Sequence, residues 1–451
     1  MSNVLNLKIL NIIFALFVSA LQLSAQAVDP QLTKKWFPGH YAKVNSGGAV
    51  GIDEWRIEPV KDNPYFVGYT MLIHWNSFEK EKDVYDFKVI YDAIRICERD
   101  KKKLMITFQD VVHSGGGNPY LPPYILSSPE FEGGYYSLVT DGDLGTGVLK
   151  SYPKMWVQPL RDRWNKYVTA VGKEFDNHPT LAAVTFSESS RAKPEPLLSQ
   201  PGFSAAAMIE YFKQQNSAAA KAFPNTIVMQ YVNYVRAGAT EEMRDDMMKY
   251  IVETLNNGFG GPDIINFSKK AYVLKSTDFN DHYIKYNGIA PISVEAQRGA
   301  FMGGSAREVF DYGVKTVKLH FMPWATGSRD ATTAYTIYDV IKVINDEKGK
   351  INSTPPLNII KSTTGSFIEE KSGSSFIYPN PAENYVTLRV ENNYKGNETY
   401  HLLDFTGKLI DSKKITSINT IIPIAHLGKG LYYVRIFGNS YPMEVFKFMK
   451  I

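Results

Sequence analysis

Between Asp29 and Lys350 the chain alternates between two hydrophobic periods. Short apolar or β-branched runs occur at His40 to Val44, Phe66 to Trp75, Lys103 to Phe108, Leu181 to Ser190 (LAAVTFSESS), Thr226 to Tyr231, Asp263 to Phe267, Ala290 to Val294 and Val314 to Phe321. Runs of this length bounded by turn residues predict strands buried on both faces. Helical spacing fills most of the gaps. The clearest case is Leu160, Trp164, Val168, Val171 and Phe175, one stripe of an amphipathic helix. Eight strand-helix units predict an α/β fold, a closed (β/α)8 TIM barrel rather than an open sheet. No GxGxxG follows the first strand, so a dinucleotide-binding sheet loses its main support.

The pattern breaks at residues 351–375, where INSTPPLNIIKSTTGSFIEEKSGSS has the Ser, Thr, Gly and Pro content of a linker. Beyond it, YVTLRV, YHLLDF and LYYVRI read as short strands separated by glycine turns, which predicts a small C-terminal β-sandwich over 376–451. The order SSFIYPNPAENYVTLRV, YHLLDFTGKLI, LGKGLYYVRI and FKFMKI resembles the type A sorting domain of Bacteroidetes proteins exported by the type IX secretion system. That resemblance implies that the tail is an address recognised by the secretion machinery, with the chemistry in residues 28–350. At the other end, an apolar run from Ile9 to Leu23 precedes Ala25-Gln26-Ala27. This predicts a signal peptide over 1–27, because the run is short of the ~20 residues that span a bilayer.

Composition narrows the partners. The net charge of +4 over 451 residues, without a basic stripe interleaved with aromatics, argues against nucleic acid. The lone Cys97 excludes an internal disulfide, and its place in a helical pattern predicts a small buried residue. No HxH or HExxH run supports a metal, no cofactor is expected, and His74 and His320 read as satisfied histidines within strands.

The run LAAVTFSESS delivers Glu188 from a strand built to be buried, and PISVE does the same with Glu295 three strands later. In a barrel of this kind the C-terminal strand ends form the active-site face. Two carboxyls at one mouth suit glycoside hydrolysis, in which one assists the leaving oxygen and the other attacks the sugar or activates water. Their mutual repulsion separates their proton affinities.

GYTMLIHWNSFEKEKDVYDFKVIYDAI resembles the second-strand region of clan A glycoside hydrolases, through Trp75, Phe78, Glu79, Tyr85, Asp86 and Phe87. FDNHPTLAAVTFSE is similar to the helix end and fourth strand before that clan's acid/base glutamate. The resemblance, over about residues 38 to 345, implies Glu188 as general acid/base and Glu295 as nucleophile of a retaining enzyme. Ser187 stands where the clan usually has Asn. Its shorter hydroxyl reaches a sugar only through water or with a shifted substrate, which leaves open a different sugar or a different role for Glu188.

Other strand-end residues are candidates for binding a glycan. Trp75 and Trp324 offer either sugar-stacking faces or plain packing; Gln109, Asp110, His113, Tyr231 and Asn233 offer hydrogen bonds or loop structure. Arg298 can hold an acidic group of a polysaccharide or keep a glutamate ionised, and Arg191 can pair with Glu188. The long Gly-, Pro- and Tyr-rich insertion Ser114 to Pro153 is expected to wall the cleft. Three functions stay open: a secreted retaining glycosidase, a glycan-binding barrel without catalysis, and a barrel lyase or isomerase using the same carboxylates.

Overall fold

The computed structural model describes residues 32–45, 50–112, 117–142, 145–189, 197–232, 238–264, 281–296, 304–327, 335–360, 375–390, 398–438 and 441–451. Eight parallel strands close into a barrel: β1 Gly39–Lys43, β2 Phe66–His74, β3 Lys103–Gln109, β4 Leu181–Phe186, β5 Ile227–Tyr231, β6 Gly258–Gly261, β7 Ile292–Val294 and β8 Phe321–Ala325. Successive strands are neighbours, and β1 closes the ring between β2 and β8. Helices α1 Lys88–Arg99, α2 Gln158–Phe175 and α3 Ala205–Ala222 follow β2, precede β4 and follow β4.

Side chains alternate between the lumen and the helix layer because a strand has a period of two. Tyr41, Met105, Ala183, Ile227, Met229 and Phe321 fill the lumen as one apolar cluster. The helix layer holds the larger core, including the α2 stripe Leu160, Trp164, Val168, Val171 and Phe175. Cys97 is buried there on α1 as a free thiol.

Two expected strands lie elsewhere. The sixth is Gly258–Gly261, before the expected Asp263 to Phe267. Three of its four residues are glycines, and two of them make room for β7: a Cβ on Gly260 would come within 1.5 Å of the Ser293 carbonyl oxygen, and one on Gly258 within 2.2 Å of that of Pro291. The eighth is Phe321–Ala325. Much of the expected run Val314 to Phe321 is taken by a wide helical turn, Tyr312–Val317, which ends at Lys318 in the left-handed region with φ 55°.

The insertion after β3 contains a short helix, Pro123–Ser127, and a hairpin of Tyr135–Gly142 with Gly145–Pro153. Among its described residues the tail forms seven strands: β9 Phe376–Tyr378, β10 Tyr385–Arg389, β11 Thr399–Asp404, β12 Leu409–Lys414, β13 Asn419–Pro423, β14 Gly430–Gly438 and β15 Tyr441–Lys450. They make one sheet of order β9-β10-β13 and another of order β12-β11-β14-β15. Val386, Leu388, Leu402, Ile422, Val434 and Phe446 share the apolar core between them.

Candidate active site at the barrel mouth

Strand register decides which residues reach the mouth. Lys43 pairs with Thr70, and His74 with Gln109, so Lys43, Thr70, Leu72, His74 and Gln109 share one face. That face is the lumen, because Lys43 Nζ donates to Glu295 Oε1 at 2.6 Å although β8 separates their strands. Glu295 follows β7 directly, and its amide donates to the Gly261 carbonyl at 3.0 Å, so the ladder holds its backbone. Tyr231, at the end of β5, comes from the same side: its hydroxyl lies 3.5 Å from Ser293 Oγ, across β6. Burial and the Glu295 charge both push the Tyr231 phenol above the ordinary tyrosine range, so it keeps its proton and remains a donor.

Glu188 lies two residues past β4 and is half-buried. Hydrogen bonds fix the backbone on both sides of it. The Ser187 amide donates to the Phe108 carbonyl at 3.0 Å and the Ser189 amide to that of Tyr231 at 3.0 Å. From the helix side, Gln230 Nε2 donates to the carbonyls of Ser187 at 2.9 Å and Tyr231 at 3.1 Å. The Gln230 carbonyl oxygen accepts from Gln215 and Asn216 on α3, and Gln215 accepts from Trp164 Nε1 at 2.7 Å. The Ser187 hydroxyl donates to Asp110, whose other oxygen lies 3.1 Å from the Tyr211 hydroxyl. Ser187 therefore serves the scaffold of the strand end, and its hydroxyl is used by a carboxylate of this chain.

Both tryptophans put forward as sugar platforms belong to the core. Trp75 is 1% exposed, stacked on Tyr167, and its Nε1 donates to Glu79 at 2.6 Å. Glu79 is itself buried and paired with Arg163 of α2, so the W-x-x-φ-E motif locks the end of β2 to the helix layer. Trp324 is 1% exposed and pairs in register with Ala42, next to lumen-facing Lys43, so it lies on the outer face. There its Nε1 donates to His40 Nδ1 at 3.1 Å. With the eighth strand expected to end at Phe321, the parity of Trp324 was not fixed by the sequence. Gln109 reaches the mouth, but its amide donates to the Val111 carbonyl at 2.6 Å. His113, Asn233, Arg191 and Arg298 lie outside the described residues.

Lys43 was missed because nothing in GHYAK marks a lysine as facing another strand's glutamate. Its lumen parity was readable, and the partner was not. Asp110 and Gln230 were similarly invisible as a support for residue 187. Among the described residues no group of three His, Cys, Asp or Glu side chains stands together to hold a metal ion.

Residues 376–449 match the family model described as a secretion system C-terminal sorting domain. The tail is a secretion sorting domain. It marks the chain for type IX export to the cell surface or the extracellular space. No curated protein matches the chain. Among solved structures, the chain is similar to endo-glycoceramidase II from Rhodococcus sp., with TM-score 0.43 and 14% identity over 87% of this chain and 98% of that one. It is also similar to GH5_18 from Streptomyces cattleya with bound GlcNAc, at TM-score 0.46 and 10% identity over 73% and 84%. A third is beta-galactosidase from the psychrophilic Marinomonas ef1, at 0.42 and 9% over 69% and 59%. The sorting domain contributes none of the mouth residues described above, all of which belong to the barrel. Among the described residues no helix is long and apolar enough to cross a membrane.

Proposed function

We propose that the barrel is an exported retaining glycoside hydrolase acting on a polysaccharide or oligosaccharide, with Glu188 as general acid/base and Glu295 as nucleophile. The observation that carries this reading is the lumen ion pair: Lys43 meets Glu295 at 2.6 Å where both side chains are largely shielded from water. The Lys43 ammonium donates to one Glu295 oxygen and so fixes the carboxylate at the mouth, as a nucleophile must be fixed toward the carbon it attacks.

Glu188 protonates the glycosidic oxygen as the bond to the anomeric carbon breaks, while a Glu295 oxygen attacks that carbon from the other face. The product is a covalent glycosyl-enzyme and a freed hydroxyl on the leaving sugar. Deprotonated Glu188 then takes a proton from water, whose oxygen displaces Glu295 and restores both carboxyls with net retention. Tyr231, holding its proton beside Glu295, supports the carboxylate orientation.

Wild type and Glu188→Gln are to be compared on algal and plant polysaccharides for reducing-end release, with the product anomer followed by NMR. The proposal requires loss of release in the variant and a retained anomer. Undiminished release would sink the acid/base assignment. Binding without release would make the barrel a glycan-binding module, and an unsaturated or isomerised product would make it a lyase or isomerase.

A further inference from the structure

The three buried histidines among the described residues divide into two kinds. His40 is satisfied at both ring nitrogens, Nε2 facing the Lys350 carbonyl at 3.2 Å and Nδ1 accepting from Trp324. His320 is satisfied in the same way, by the Ile292 amide at 3.1 Å and the Asn352 side chain at 3.2 Å. His74 is different: it is 1% exposed, and its Nε2 has no hydrogen-bond partner. A buried polar atom left unmatched destabilises the fold, so its persistence calls for a use.

Its position supplies one. His74 is the last residue of β2 and lies on the lumen face with Gln109, at the C-terminal mouth and four residues beyond the Thr70 that pairs with Lys43. Tyr120, from the insertion after β3, stacks flat on the imidazole with ring centroids 3.7 Å apart. The Tyr120 carbonyl accepts from the Asn76 amide at 2.8 Å, which ties that loop to the end of β2. The cover over His74 is thus a mouth loop, and the imidazole beneath it is held in one plane. Meanwhile the residue expected to meet a sugar hydroxyl, Ser187, is occupied by Asp110.

We propose that His74 Nε2 is a substrate-binding atom that takes one uncharged hydroxyl of the sugar, in the role that Ser187 leaves vacant. The inference rests on the glycosidase reading above. Burial pushes the imidazole down to about 4, so near neutral pH it is uncharged. A neutral imidazole offers either a donor or an acceptor at Nε2, and a hydroxyl can answer both. A carboxylate or sulfate would instead call for a cation. The class of ligand is therefore a neutral sugar unit with a hydroxyl at that point, stacked beside the Tyr120 ring.

The probes are 4-nitrophenyl glycosides of gluco, galacto and manno configuration with their monodeoxy forms, assayed with the full chain as wild type, His74→Phe and His74→Asn. His74→Phe keeps a ring under Tyr120 and removes the hydrogen bond, so kcat/KM should fall on the order of 10- to 100-fold. One deoxy substrate should show a matching loss with wild type and no further loss with His74→Phe, the signature of a shared contact. His74→Asn, which retains a polar group, should lose less than His74→Phe. Unchanged kcat/KM in His74→Phe, or equal losses on every deoxy form, would overturn the inference and leave the glycosidase reading intact. If wild type cleaves none of the probes and releases no reducing ends from polysaccharides, the functional reading fails, and this inference with it.

Discussion

Lys43 and Glu295 sit on strands that are not neighbours, yet their side chains meet at 2.6 Å through the lumen. Removing one partner of such a shielded pair strands the other charge. Lys43→Met should therefore destabilise the barrel by about 3–5 kcal/mol and abolish most glycan hydrolysis. Lys43→Arg should keep more of both. Thermal denaturation and reducing-end release measure the two effects, and a Lys43→Met variant with wild-type stability would show that the pair does not hold Glu295.

Ser187 gives a prediction opposite in sign to the one its resemblance to clan A suggests. Introducing the asparagine usual in that clan, Ser187→Asn, should lower activity, because residue 187 is engaged by Asp110, Gln230 and the Phe108 carbonyl. Ser187→Ala should be milder, costing about 1 kcal/mol for one lost hydrogen bond. Steady-state kinetics on the responsive glycan decide this, and a gain in kcat with Asn would refute the scaffold role.

The tryptophans should behave as core residues. Trp75→Phe loses the hydrogen bond to buried Glu79 and should lower stability by about 1–3 kcal/mol. Trp324→Phe similarly loses its bond to His40. Neither should raise KM for a glycan as loss of a stacking platform would. A large rise in KM without loss of melting temperature would reverse that assignment.

Burial pushes His40 and His74 down to about 4 and His320 to about 3, against an ordinary value near 6.5. Between those values the unfolded chain binds more protons than the folded one. Stability is thus fully present above pH ~6.5 and falls as pH drops toward the folded values, by about 1.4 kcal/mol per pH unit for each fully titrating histidine. Urea midpoints should fall from pH 7.5 to pH 5. A flat profile there would mean the imidazoles are not kept neutral by the fold.

How much was legible depended on which side chains carried the signal. β1, β2, β3, β5 and β7 were found within two residues, and β4 from its first residue though ending four before the expected Ser190, because apolar and β-branched residues mark strands buried on both faces. β6 was missed because GFGG has almost no side chains to show a period. β8 was displaced because VKTVKLHF has strand-forming composition, while FMPWA carries a proline that argues against a strand interior. That displacement hid the parity of Trp324. Glu188 and Glu295 were visible as charges ending apolar runs, whereas Lys43, Gln230 and the unmatched Nε2 of His74 depend on contacts between distant segments.

The bare backbone of β6 sets a limit on how this pocket can change. Any side chain at Gly258 or Gly260 would push against the strand that leads to Glu295. Single substitutions on that side of the lumen therefore have little room to retune the substrate without disturbing the chemistry. New specificities, in nature or in the laboratory, have their freer route on the opposite side, through the His74 ring and the insertion that covers it.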